Sequence, residues 1–203
     1  LVNQLRCAGE AVGFSTVPEG SGPFQFVWRH NGTLLPGATN ASLLLPAVAT
    51  NDAGNYTVEV TGACGSVTRG AVLIVRALAT ATALADADVC AGGAVQFSTV
   101  AQGAGPFVFA WRQNGALLAG ATNSSLNLSN LTPQAAGLYT VEVTGACNSV
   151  TNAAGLLVRE ATQATLLTNA ALCTGEDVTF ETAVTGTGPF TIVWRRNGVA
   201  LPG

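Results

Sequence analysis

The sequence contains no lysine and no methionine; all eight of its basic residues are arginine. Charged residues make up only 9% of the 203 residues, and the formal net charge is −3, where an average soluble domain carries about 25% charge. No basic patch for nucleic acid and no polybasic anchor for a membrane surface can be assembled from so few cations. Without lysine, Lys–Asn isopeptide crosslinks are excluded as well. The longest apolar runs, such as Ala71–Val75, are the length of a strand and far too short for a helix to cross a bilayer. No leader pattern opens the chain and no segment keeps a helical period.

What the sequence does contain is repetition. Cys7, Cys90 and Cys173 lie 83 residues apart, and so do Trp28, Trp111 and Trp194. Tyr56 and Tyr139, and Cys64 and Cys147, keep the same offset. The stretch from Tyr56 to Cys64 recurs unchanged from Tyr139 to Cys147. Within each repeat, apolar residues alternate as in strands with one buried face: Val12, Phe14 and Thr16; Phe24, Phe26 and Trp28; Leu43 and Leu45; Tyr56, Val58 and Val60; Val67, Ala71, Leu73 and Val75. Turn signals punctuate them, including Gly20-Ser21-Gly22-Pro23, Asn31-Gly32 and Asp52-Ala53-Gly54. Short strands at this spacing predict an all-β sandwich or barrel.

Gly9-Glu10, Trp28, and Asp52-Ala53-Gly54-Asn55-Tyr56 together resemble an immunoglobulin-like domain. The finer pattern is similar to tandem immunoglobulin-like repeats of large bacterial cell-surface proteins: Cys-x-Gly, Trp-x-x-x-Gly, Gly-x-Tyr-Thr-Val and a cysteine in the following hairpin. The resemblance implies Greek-key sandwiches covering residues 1–76, 77–159 and the first half of a third repeat, 160–203. It implies that Trp28, Trp111 and Trp194 are core residues, and that Tyr56 and Tyr139 are core residues at a tyrosine corner, the hydroxyl returned to nearby backbone. Repeat 2 has Ala135 where repeat 1 has Asp52, so an ion pair at that corner is not general. Leu1 aligns with Leu84, and Gly203 with Gly37 and Gly120. Half a sandwich exposes its core, so the array is expected to continue, or another copy is expected to supply the missing strands.

The disulfide positions usual in that fold hold Thr16 and Val58, and Thr99 and Val141. On the strand order that the resemblance implies, Cys7 and Cys64 stand at opposite poles of one sandwich, roughly 35 Å apart at ~3.3 Å per residue, while a disulfide needs Cα atoms within about 7 Å. Two pairings follow. One joins neighbouring repeats: Cys7 to Cys147, with Cys64, Cys90 and Cys173 bonded to adjacent repeats. The other stays within repeats, Cys7 to Cys64 and Cys90 to Cys147. Either favours an oxidising compartment, hence a secreted or cell-surface location.

No catalytic constellation repeats. His30 is replaced by Gln113 and Arg196, no Cys-x-x-Cys exists, and no metal or cofactor is expected; His30 reads as a solvated strand residue. Asp86-Ala87-Asp88 matches Asn3-Gln4-Leu5 and Asn169-Ala170-Ala171, so it reads as an exposed linker rather than a calcium site. Glycosylation sequons begin at Asn31, Asn40, Asn55, Asn123, Asn127 and Asn130. These readings favour a non-enzymatic, structural array: an extracellular fibre, stalk or adhesin shaft, with adjacent repeats or copies of itself as partners. The alternatives are a module binding a cell-surface glycan or protein, and a spacer in a secreted enzyme.

Overall fold

The computed structural model describes residues 1–202 and is built almost wholly of strands. The first repeat runs β1 (Gln4–Cys7), β2 (Val12–Ser15), β3 (Gln25–His30), β4 (Thr33–Leu34), β5 (Ser42–Leu45), β6 (Gly54–Gly62) and β7 (Gly65–Arg76). One sheet has the order β1-β7-β6-β3-β4, and β2 pairs with β5 in the other. All pairings are antiparallel except that of β1 with β7. The inward residues of both sheets meet in one core: Val12 and Phe14 from β2 against Trp28, Tyr56, Val58, Val60, Ala71 and Leu73. Period-two alternation is therefore what places these side chains, and Trp28 is fully enclosed.

The second repeat continues with β8 (Thr80–Ala81), β9 (Ala87–Cys90), β10 (Val95–Ser98), β11 (Ala101–Gln102), β12 (Val108–Gln113), β13 (Ala116–Leu117), β14 (Ser125–Leu128), β15 (Gly137–Thr144) and β16 (Ser149–Arg159). Its larger sheet, β13-β12-β15-β16-β9, repeats the order of the first, and β10 pairs with β14. Trp111, Tyr139, Val141 and Val143 are its most enclosed residues. An additional two-stranded sheet, β8 with β11, ties the segment entering this repeat to the stretch that follows β10.

The third stretch holds only β17 (Gln163–Ala164), β18 (Val184–Thr185), β19 (Arg195–Arg196) and β20 (Val199–Ala200). Trp194, expected in a core, is 38% exposed. The reason is that residues 160–202 carry the counterparts of only the first half of a repeat, so no strand equivalent to β6 or β15 lies over the indole. Phe180, Phe190 and Ile192 are exposed beside it. Gly203 lies outside the described residues.

Val67 also departs from the sequence expectation: it is 45% exposed, whereas Val150, its counterpart, packs against the core of the second repeat. The cover over Val150 comes from the segment that leads into the second repeat.

Candidate functional site: the junction between repeats

Strand β7 delivers the chain at Arg76 directly onto the loops of the second repeat. The Ala104 N–H donates to the Ala77 carbonyl at 3.2 Å, and the Ala146 N–H donates to the Ala104 carbonyl at 2.9 Å. Asn148 then clamps Ala79 from both sides. Its Oδ1 accepts from the Ala79 N–H at 2.6 Å, and its Nδ2 donates to the Ala79 carbonyl at 3.1 Å. Asn152 Nδ2 donates to the carbonyls of Ala81 and Thr82, at 3.2 and 2.8 Å. Thr99, the one buried polar residue among those described, donates from Oγ1 to the Thr82 carbonyl at 2.7 Å.

Small residues make this approach possible. Ala79 is only 2% exposed, and a Cβ on Gly145 would come within 2.8 Å of its Cβ. Gly103 has φ +110, and a Cβ there would run into the Leu78 carbonyl. The alanine- and threonine-rich segment Ala77–Thr82 is thus docked against the second repeat. The same seating recurs at the next boundary, where the Thr187 N–H donates to the Glu160 carbonyl at 3.2 Å and Thr187 Oγ1 accepts from the Glu160 N–H.

The two cysteines of the junction converge on Arg76. The β1–β7 register sets Cys7 opposite Arg76, and the Ala8 N–H donates to the Arg76 carbonyl at 2.9 Å. Cys147 lies in the turn between β15 and β16, its Sγ 4.0 Å from the same carbonyl. A disulfide joins Cys7 to Cys147, with Cα atoms 5.7 Å apart, a common spacing for this bond. The within-repeat alternative, Cys7 to Cys64 and Cys90 to Cys147, does not match this arrangement. Cys64 precedes Gly65 at one end of β7 while Cys7 faces Arg76 at the other, so the strand separates them by about 36 Å. Cys64, Cys90 and Cys173 are free and exposed.

The corner below each tyrosine is a second recurrent device. Tyr56 donates to the Asp52 carbonyl at 2.9 Å, and Tyr139 to the Ala135 carbonyl at 2.8 Å. Because the acceptor is backbone, the change from Asp52 to Ala135 leaves the bond intact. The Asp52 carboxylate instead accepts the Ala49 N–H at 2.8 Å. Burial raises the pKa of both phenols, with the Asp52 charge adding to the effect on Tyr56. His30 is not simply solvated, as its sequence context suggests. It is half-buried, stacks on Tyr56 at 4.5 Å, and its Nε2 lies 3.1 Å from the Ala53 carbonyl. Gln113, its counterpart, donates to the Ala135 carbonyl at 3.1 Å, one residue before the position equivalent to Ala53.

Asp86 and Asp88 are likewise more than an exposed linker. Asp86 Oδ1 accepts the Gly155 N–H at 2.7 Å, as Asn3 Oδ1 accepts the Val72 N–H at 2.9 Å. Asp88 forms a bidentate pair with Arg159, at 2.7 and 2.6 Å. Those hydrogen bonds lower the Asp88 pKa and raise that of Arg159. The 83-residue recurrence of Asn or Asp at 3, 86 and 169 was the signal for the first of these pins. Among the sequons, Asn31 uses its Oδ1 to accept the Asn55 N–H at 2.8 Å, and Asn127 accepts from Gln96 at 2.7 Å. Among the described residues, no group of three or more His, Cys, Asp or Glu side chains is placed to hold a metal ion.

A three-immunoglobulin-domain fragment of titin superposes on the chain with a TM-score of 0.75, at 21% identity, covering 100% of this chain and 79% of the fragment. The chain has the immunoglobulin-like fold, in tandem. The two-domain DIP-gamma fragment matches with a TM-score of 0.59 at 15% identity, covering 77% of this chain and 93% of that one. The insect immune protein hemolin matches at 0.56 and 18%, over 77% of this chain and 44% of its own. In sequence, 46 residues are 39% identical to the decoration protein of Escherichia phage T5, a segment that covers 23% of this chain and 28% of that protein. No protein-family model matches the chain. No helix among the described residues is long and apolar enough to cross a membrane.

Proposed function

We propose that this chain is a segment of an extracellular or cell-surface shaft, a fibre, stalk or adhesin stem, whose immunoglobulin-like repeats are locked end to end by disulfides across their junctions. The observation that carries this reading is the covalent link between Cys7 of one repeat and Cys147 of the next, set beside a linker tied to the second repeat by hydrogen bonds between Ala77 and Thr82. By the 83-residue period, Cys90 bonds the hairpin cysteine of a following repeat, and Cys64 and Cys173 serve the boundaries on either side. Stability in such an array sums repeat and junction contributions, and these bonds reinforce the junctions. A disulfide between two half-buried cysteines fits an oxidising exterior. Similarity to hemolin, whose domain arrangement bears on homophilic adhesion, and to the phage decoration protein is in keeping with a surface role, with like repeats as partners.

The arrangement has a mechanical consequence. With the Cys7–Cys147 bond closed, tension applied at Leu1 and Gly203 passes through the sulfurs and bypasses most of both sandwiches. The bypassed loop spans 140 residues, about 490 Å of extended chain at about 3.5 Å per residue. Pulling single oxidised molecules by their ends is expected to yield no unfolding step from either complete repeat. Adding a reductant is expected to release that hidden length in two steps. Equal release with and without reductant would count against the stapled shaft.

A further inference from the structure

In β7, Val72, Ile74 and Arg76 point away from the core, alternating with the buried Ala71 and Leu73. In β16 the same three positions hold Gly155, Leu157 and Arg159. Val72 and Ile74 therefore stand up as a ridge on the flank of the first repeat. On the second repeat, the missing side chain at Gly155 leaves a shallow groove of about 510 Å³. Leu138 and Leu157 form its apolar walls, and Asp86 and Asp88 its acidic rim. A complete repeat follows the ridge, yet Val72 is 44% and Ile74 55% exposed. The groove lies at the equivalent place on its own repeat, so a complete following repeat leaves it open in the same way.

The charges differ between the two flanks in a complementary sense. Arg159 is paired with Asp88. Leu5 stands at that position in the first repeat, and among the described residues no carboxylate pairs with Arg76. Asp86 holds the Gly155 N–H through Oδ1, and it has no cationic partner among those residues. The ridge thus carries an unpaired cation and the groove an unpaired anion.

We propose that the groove on the second repeat receives the Val72–Ile74 ridge of a second copy of this chain, side by side, with Arg76 of that copy reaching Asp86. Burial of the two branched side chains between Leu138 and Leu157 supplies the attraction, and the charges supply the choice of face. Ridge against ridge opposes two Arg76 side chains, and groove against groove opposes two Asp86 side chains, so the unlike pairing is favoured. The contact is heterologous: it sets the first repeat of one chain beside the second repeat of its neighbour. A patch this small gives weak, reversible association of isolated chains. The site lies on the flank of the shaft rather than at its ends, so it holds or fails independently of the Cys7–Cys147 bond.

The test uses the whole oxidised chain with its free thiols alkylated, so that Cys64, Cys90 and Cys173 cannot crosslink copies. Sedimentation at concentrations rising into the millimolar range is expected to show reversible self-association. Gly155→Val fills the groove with the residue that the first repeat carries at that place. A Cβ there comes no nearer than 3.6 Å to Asp86, so the fold is kept. Ile74→Glu puts a charge on the ridge at an exposed position. Each variant alone is expected to associate about tenfold more weakly, or less still. Mixing the two is expected to restore pairing as a one-to-one complex, since one chain still offers the groove and the other the ridge. Asp86→Asn keeps the hydrogen bond to Gly155, as Asn3 does to Val72. It is expected to weaken association by roughly twofold to fivefold at low salt, a difference that high salt removes. A parent chain that stays monomeric would overturn the proposal. So would association that neither Gly155→Val nor Ile74→Glu alters, which would place it on the third stretch, or a mixture that pairs no better than its components.

Discussion

Removing the Cys7–Cys147 bond by the double change Cys7→Ser and Cys147→Ser is expected to destabilise both complete repeats at once. The geometry sets the size of the effect. Both sulfurs converge on Arg76, at the boundary between the repeats. If the first repeat unfolds while the second stays folded, the crosslink closes a loop from Cys7 to the boundary. If the second unfolds alone, the loop runs from the boundary to Cys147. Each loop is about 70 residues, for which the chain-entropy relation gives about 4 kcal/mol at 25 °C. For a domain of this size that corresponds to a drop in midpoint of about 20 °C. Calorimetry of the oxidised chain, the double variant and a Cys64→Ser control measures it. The control is expected to match the parent, because Cys64 is free and exposed. Losses under about 5 °C in both repeats, or confined to one, would refute the argument that the bond spans the boundary.

Tyr139→Phe removes a hydroxyl that donates to the Ala135 carbonyl at 2.8 Å; it is expected to cost about 1 kcal/mol in denaturant unfolding of the second repeat, with Tyr56→Phe doing the same in the first. Gly103→Ala meets both a strained φ of +110 and the Leu78 carbonyl, whereas Gly20→Ala at φ +107 meets open space. The former is therefore expected to be the more destabilising, by chemical denaturation of each variant. The hydrogen bonds from Arg159 hold the Asp88 pKa low, so the folded state binds that proton less readily than the unfolded one. The stability it contributes is present above the usual carboxylate range, near pH 4, and is lost as pH falls through the folded value. The stability difference between the parent and Asp88→Asn is expected to be constant from neutral pH down to about pH 5 and to shrink below about pH 4.

The sandwiches were legible because their core is written in short-range alternation. Val12 with Phe14, and Tyr56 with Val58 and Val60, need only a period of two, and duplication at 83 residues doubled the signal. The corner at Tyr56 was legible from the local Asp-x-Gly-x-Tyr spacing, because its bond closes over four residues. What escaped were contacts whose partners lie far along the chain. Asn3 and Asp86 reach backbone 69 residues away, and nothing in their own neighbourhood marks them. Asp88 looked like linker because its counterparts, Leu5 and Ala171, carry no charge; the pair with Arg159 belongs to one repeat. His30 was read from its lack of recurrence, yet Gln113, with different chemistry, reaches the same turn one carbonyl earlier. The docking of Ala77–Thr82 was hidden for another reason. Alanine and threonine carry little pattern, and their role is set by the glycines at 103 and 145 that let them approach.

The pairing of the cysteines tests the account most directly, and native, unreduced material cleaved after arginine is sufficient. Each cysteine then falls in a separate peptide: Cys7 in 7–29, Cys64 in 30–69, Cys90 in 77–112, Cys147 in 113–159 and Cys173 in 160–195. Mass spectrometry is expected to find peptide 7–29 joined to 113–159, the covalent link between successive repeats. Peptide 7–29 joined instead to 30–69 would contradict the staple and leave the repeats as independent modules on a flexible string.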